Sequence, residues 1–340
     1  MDARPASAPA IPRGITVASI SEFPLEWAVV ALVALIDIIW ARGVGFSFAM
    51  SPRDLAGLAA IFAVGLLFRT LYRDRRGSLI AEFCALTIAA VCVLGVLSYL
   101  CCATSLPLVD SKLAHLDRMI GFDWLYWFRV VQSHPVVLPG LRALYGSIAL
   151  QDIYFIALFG VVCDQARLRE MFWVFLVACL LTFAISVFVP ALGTFETFRL
   201  GDLGGYLAEM KRLRHGGELH FDVGRLAGVI SFPSFHTSLA IIYAYMFRRT
   251  GPIGVLIAGV NLLMLPTIPF IGGHYLVDMF AGAAVAGVAI VTVRYWLRLQ
   301  NANRRSIGGD RDVLGRAAPT SDHRGTAVAM RMMPDRIALL

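Results

Sequence analysis

Lysine is almost missing from this chain of 340 residues, occurring only at Lys112 and Lys211. Charge of either sign is scarce as well, at 16% of residues. A soluble globular domain carries about 25% charged residues, so the composition argues against a water-exposed polar shell. The net charge of +7 comes almost wholly from arginine, and it maps to connections and tail. That placement suits anionic lipid and gives no reason to invoke nucleic acid. The six cysteines, at 84, 92, 101, 102, 163 and 179, fall in or beside apolar runs, with no C-x-x-C and no Cys/His cluster. They read as small core residues and point neither to a disulfide framework nor to zinc. An A-x-A-like cleavage site after the first apolar run is also missing, so that run, which carries Glu26 and Asp37, is expected to be a retained span.

What is present is apolar length. The chain is 58% hydrophobic, with a mean hydropathy of +0.72. A membrane-crossing helix needs about 20 mostly apolar residues. Runs at 24–41, 54–72, 79–102, 138–162, 171–190, 233–247, 252–269 and 275–297 give about eight spans, the 233–247 run being the shortest. The fold class expected is all-α, a polytopic membrane helix bundle. Arginines at 73, 75 and 76, at 167 and 169, at 248 and 249, and at 298, 304 and 305 then fall on one side, which the positive-inside rule makes the cytoplasm, with both termini. Segments 42–53, 103–137, 191–232 and 270–274 fall on the other. Within the second of these, Leu113, Leu116 and Ile120 share a helical face and Trp124, Tyr126 and Trp127 follow, predicting an interfacial helix with an aromatic belt. The expected organisation is an N-terminal cytoplasmic segment (1–23), N-terminal spans and interfacial helix (24–137), a catalytic membrane core (138–298) and a disordered cytoplasmic tail (299–340).

Two constellations fall on the outer side. The first is 231-SFPSFHTS-238. Pro233 suits a first helical position, and the free N–H groups of a helix start make an anion site within reach of Ser234 and His236. The bland alternative is that a serine caps the helix and His236 sits at a polar interface. The second is 272-GGHYLVDMFAG-282, where His274 and Asp278 are four residues apart and share a helical face. A carboxylate on one imidazole nitrogen fixes the tautomer and frees the other as base or nucleophile. The alternative is a structural pair seating the helix end. Two histidines with distinct partners suggest one nucleophile and one acid/base.

At these residues the chain resembles the type-2 phosphatidic acid phosphatase superfamily, which shares its fold with the vanadium haloperoxidases. The family's PSxH and HxxxD patterns match 233-PSFH-236 and 274-HYLVD-278 in order and spacing. The wording GVISFPSFHTSLA followed by GGHYLVDMFAG, and more loosely 116-LDRMIGFDW-124, is most similar to the inositol phosphorylceramide synthase branch, an inositolphosphotransferase. The resemblance implies a six-helix phosphatase-type core and a metal-free reaction with no cofactor. In it His274 attacks phosphorus and forms a phosphohistidine, Asp278 orients His274, and His236 protonates the leaving oxygen and then deprotonates the incoming water or alcohol. Ser234 and nearby amides hold phosphate oxygens. The family's KxxxxxxRP segment is absent here and Thr267-Ile268 stands in the place of its SR dipeptide. The cationic part of the phosphate site is therefore expected from Lys211, Arg212 or Arg214 in 211-KRLRHGG-217, or from Arg225 closer to the motif, with Arg214 favoured; the alternative is a solvated basic patch facing lipid headgroups.

The activity expected is that of a lipid phosphatase or phospho-headgroup transferase at the outer face of a membrane, the bacterial plasma membrane being the expected location. Its partners are a lipid phosphate or phospholipid substrate and the bilayer. A non-catalytic lipid-binding or transport protein on the same scaffold is the alternative. A serine hydrolase using Ser234 or Ser238 is disfavoured, because His236 is two residues from either and does not face it on a helix. Asp152, mid-span, is expected to bond between helices or to line a headgroup cavity. The small-residue run 281-AGAAVAGVA-289 predicts tight helix packing.

Overall fold

The computed structural model describes residues 21–316, with side chains described as far as 300 and at 302. Expectations for the first 20 residues and for 317–340 lie outside the described residues. Helix α1 (Pro24–Val44) stops at Gly45, whose φ of 76° lies in the left-handed region that glycine adopts without strain. A short strand β1 (Phe46–Ala49) follows, then α2 (Pro52–Leu67), capped by the Ser51 side chain and extended by a π-helical turn over Phe68–Tyr72. The Asp74 side chain accepts from the amides of Arg76 and Gly77 and so starts α3 (Arg75–Cys102). Then come α4 (Asp110–Met119), α5 (Trp124–Gln132), α6 (Leu138–Tyr145), α7 (Ser147–Val161) and α8 (Gln165–Phe188). After them lie α9 (Thr194–Thr197), α10 (Leu207–His215), strand β2 (Leu219–Asp222), α11 (Phe235–Met246), α12 (Pro252–Met264), α13 (Ile268–Ile271) and α14 (Leu276–Arg316).

Among the described residues, seven helices are long and apolar enough to cross a membrane: Pro24–Val44, Pro52–Tyr72, Arg75–Cys102, Leu138–Val161, Gln165–Phe188, Pro252–Ile271 and Leu276–Gln300. The chain is thus an all-α polytopic integral membrane protein. The expected span at 233–247 forms a helix, but α11 has only 12 residues. At 1.5 Å per residue that is about 18 Å, against a hydrocarbon core of about 30 Å. Its start is held inside the bundle, on α14. An added β-carbon on Gly282 would lie 2.2 Å from the Ser234 carbonyl oxygen, the Ser238 hydroxyl donates to the Gly282 carbonyl at 2.7 Å, and the Ser234 amide donates to the Asp278 carbonyl at 3.0 Å. The small residues of 281–289 thus permit the close approach expected of them.

The connecting segments gather in two groups, as the arginine pattern divides them. In one group β1 and β2 pair in parallel, Phe46 opposite Leu219. There the Val109 amide bonds the Pro190 carbonyl and the Thr194 amide bonds the Gly273 carbonyl. In the other, Arg69 pairs with Glu22 and Glu82 at 3.1 and 3.3 Å, Arg169 with Glu26 at 3.4 Å, and Arg248 with Glu170 at 4.0 Å.

The chain divides into two units, residues 1–294 and 295–340. In the second, α14 continues to Arg316, where an aperiodic tail was expected from about 299. A nucleated helix gains one bond for each residue it fixes, so it extends cheaply through polar sequence.

Candidate active site

His236 stands in the first turn of α11, behind a buried Ser234 that is the N-cap: its Oγ accepts from the Thr237 amide at 3.5 Å and the Thr237 hydroxyl at 3.2 Å. Pro233 therefore precedes the cap and is not the first helical residue. His274 stands two residues before α14, in the turn formed by Gly272 and Gly273. Its Nδ1 lies 2.8 Å from the Ser231 carbonyl oxygen, to which it donates, and 3.4 Å from Asp278 Oδ2. The backbone carbonyl is thus the nearer partner of the ring, and the Asp278 Oδ2 atom also accepts from the Tyr275 amide at 2.8 Å. Burial lowers the His274 pKa to about 4, the bond to Ser231 partly opposing it. At pH 7 the ring is neutral, its proton on Nδ1 and its lone pair on Nε2.

Both histidines line one cavity of about 660 Å³, together with Tyr145, Tyr206, Ser231 and Gly272. Tyr145, the last residue of α6, stacks on His236 with ring centroids 4.0 Å apart and places its hydroxyl 3.0 Å from His236 Nδ1. Each imidazole has its Nδ1 occupied, and among the described residues no protein group pairs with either Nε2. The Tyr206 hydroxyl and Ser231 Oγ are buried without a partner among the described residues. An unpaired buried hydroxyl costs about 1–3 kcal/mol, and both belong to residues that line the cavity.

The expected phosphate-binding cations are elsewhere. Arg214 donates to the carbonyl oxygens of Thr104 and Leu106 at 3.0 and 2.6 Å, closing the end of α3. Lys211 pairs with Glu196 at 2.7 Å. Arg225 lies 3.5 Å from Asp222 with its side chain 87% exposed. Among the described residues no lysine or arginine lines the cavity.

A second cavity of about 510 Å³ shares Tyr145 and His236 with the first. Its other walls are mostly apolar, among them Phe83, Ala149, Met171 and Leu239, with Asp152 accepting from the Tyr243 hydroxyl at 3.0 Å. Asp152 thus bonds between helices and lines a cavity as well.

The segment around His274 is seated by the α4–α5 region. Asp117 accepts from the Leu276 and Val277 amides at 2.9 and 3.0 Å, capping α14. Burial pushes its pKa up, against the pull of those two bonds. Asp110 accepts from the Leu192 and Gly193 amides and the Tyr275 hydroxyl. Burial raises its pKa likewise. Trp124, expected in an aromatic belt, is instead buried. Its Nε1 donates to the His274 and Pro269 carbonyls at 3.0 and 3.2 Å, and its ring stacks on Phe128 and Phe198. Tyr126 and Trp127 remain exposed.

A family model described as the PAP2 superfamily matches residues 111–292, more than half of the chain. The chain belongs to the PAP2 superfamily. The matched span begins in α4, so the PAP2 region takes in the capping Asp117 as well as both histidines, while the part of the cavity wall on α3 precedes it. Membership supports a phosphatase-type activity on lipid phosphates, that of a phosphoric ester hydrolase working in a membrane. No curated protein and no solved structure matches the chain. Sequence reasoning missed Tyr145, Tyr206, Ser231, Asp110 and Trp124 as parts of this PAP2 site. Asp117 and Trp124 lay within the resembling segment 116–124, which was a signal; Tyr145 lies in an apolar run with none.

Proposed function

We propose that this protein cleaves or transfers a phosphate-linked headgroup of a lipid through a phosphohistidine on His274. The observation that carries the reading is that two imidazoles face one cavity, each with Nδ1 tied back and Nε2 unpaired. In the first half His274 Nε2 attacks phosphorus, the bond from phosphorus to the leaving oxygen breaks, and His236 Nε2 gives that oxygen a proton. In the second half water or an alcohol gives its proton to His236 and attacks phosphorus, and the P–N bond breaks back to neutral His274. Asp278 and the Ser231 carbonyl balance the charge on the His274 ring. Phosphoryl transfer is mainly positioning and charge stabilisation, and Ser231 and Tyr206 are the donors at the wall for phosphate oxygens. Ser234 acts at one remove, by fixing the start of α11.

The lipid's acyl chain occupies the second, apolar cavity, which meets the first at His236. A chamber that admits lipid beside the acid/base favours transfer to an alcohol over hydrolysis, in line with the resemblance to inositolphosphotransferases. The arginine-bearing connections support a site on the extracytoplasmic side. Purified protein in detergent is expected to release phosphate, or to move a phospho-headgroup to an alcohol. His274→Ala should lose at least about a thousandfold in kcat and His236→Ala about 100- to 10,000-fold. Unchanged turnover in His274→Ala would remove the covalent mechanism.

The second reading is a non-catalytic lipid-binding protein on the same scaffold, favoured by the lack of lysine and arginine at the cavity. Phospholipid binding by wild type with no turnover of any lipid phosphate would establish it.

A further inference from the structure

We propose that Tyr145 is the positioning residue of His236, holding Nδ1 of that ring so that Nε2 serves the cavity in both halves of the transfer. The inference rests on the phosphoryl-transfer reading above. Three observations carry it. The Tyr145 hydroxyl is 3.0 Å from His236 Nδ1. The two rings stack at 4.0 Å with 18° between their planes, which fixes the tilt of the imidazole. Gly272 leaves the room: a β-carbon there would lie 2.8 Å from the Tyr145 hydroxyl and 2.8 Å from Cδ2 of His274. The phenol that holds one histidine and the ring of the other therefore share the space above a single glycine.

A hydroxyl suits a ring whose charge must change. It both donates and accepts. In the resting neutral ring with an unprotonated Nδ1 the phenol donates to it; once the ring is charged, and in the neutral tautomer left when Nε2 gives up its proton, Nδ1–H donates and the phenol oxygen accepts. The contact survives both states. A carboxylate can only accept, and its charge would bias the ring toward the imidazolium. As His236 gives its Nε2 proton to the leaving oxygen, the P–O electron pair goes to that oxygen and the Nδ1 proton stays on the bond to Tyr145. The neutral ring that results has its lone pair on Nε2. That atom then takes the proton of the incoming water or alcohol as the bond from phosphorus to His274 breaks.

Tyr145→Phe keeps the stacked ring and removes only the hydroxyl. Full-length protein in detergent should be assayed on two esters with the same phosphoryl group, one with an alkyl alcohol and one with p-nitrophenol as leaving group. The alkoxide needs a proton as it departs; p-nitrophenolate does not. The expected result is a fall of about 10- to 100-fold in kcat on the alkyl ester and a change within about threefold on the p-nitrophenyl ester. Equal losses on both esters would make Tyr145 merely structural, and no loss on the alkyl ester would remove it from the reaction; either overturns the proposal. His274→Ala separates the two claims, since its retained turnover refutes the phosphohistidine while the ratio between leaving groups still decides Tyr145. Absence of turnover of both esters by wild type overturns both.

Discussion

At the scale of the residue, chemistry is set by what occupies the Nδ1 atoms. His274 is buried and its pKa falls from 6.5 to about 4. On the proposed mechanism His274 attacks as the neutral ring, so lowering its pKa would keep it competent at more acid pH. Turnover per enzyme encounter, kcat/KM, should hold as pH drops from 7 to 5 and fall only through about 4. An acid limb for His274 near 6.5 would show that the ring is not sealed from water. The same shift acts on stability. Between about 6.5 and 4 the unfolded chain takes up a proton that the folded site refuses, so this contribution is present above 6.5 and is lost as pH falls toward 4. His236, His274 and Asp278 were legible in the sequence because each motif is local. Tyr145, Tyr206 and Ser231 were not, since their roles exist only once distant elements meet: Tyr145 lies 91 residues from His236. The cations are the other difference. Lys211 and Arg214 looked available in the sequence, yet the Glu196 carboxylate engages the first and carbonyl oxygens at the end of α3 the second.

At the scale of the element, α14 has to start at the right place for His274, two residues upstream, to face the cavity. Asp117 on α4 does this by taking both of the first free amides of α14, satisfying donors that a helix start leaves without intrahelical partners. Asp117→Asn keeps one acceptor oxygen and loses the charge at the positive end of the helix; Asp117→Ala loses both bonds. The expected order is about 1 kcal/mol of stability lost for Asn and about 2–3 kcal/mol for Ala, read as falling melting temperature in detergent. kcat should fall in step while KM changes little, because the turn carrying His274 loosens and the substrate chamber does not. A wild-type melting temperature in Asp117→Ala would refute the cap. The helix face of 110–120 was readable as amphipathic, but its task was not. An acidic residue buried against another helix's amides looks, in sequence, like any surface aspartate. Trp124 misled for a similar reason: an indole serves equally at a membrane interface and in a core, and here four neighbouring rings and two carbonyls decide it.

At the scale of the whole unit to Arg294, the groups that meet at the cavity sit at helix ends: His236 in the first turn of α11, His274 two residues before α14 and Tyr145 at the end of α6. Tyr145 ends an eight-residue helix, so it lies roughly 10 Å along from Leu138. α11, at 12 residues, is too short to span by itself because its first turn is set against α14 at that depth. On the proposed function a lipid phosphate seated at the first cavity would lay its upper acyl carbons in the apolar cavity beside His236. Filling that cavity is the test. Ala149 lines it but not the catalytic cavity, and Ala149→Trp would remove room for two or more methylenes. Each buried methylene contributes about 0.8 kcal/mol, which is roughly a fourfold change in kcat/KM. Wild type should therefore gain with each carbon added to a short-chain lipid phosphate until the chamber is full. Ala149→Trp should reach its plateau at least two carbons earlier, with about a tenfold lower kcat/KM on long chains and unchanged kcat/KM on the shortest. A loss independent of chain length would mean that the substitution disturbs His236 across the shared wall, and the acyl chain would have to lie elsewhere.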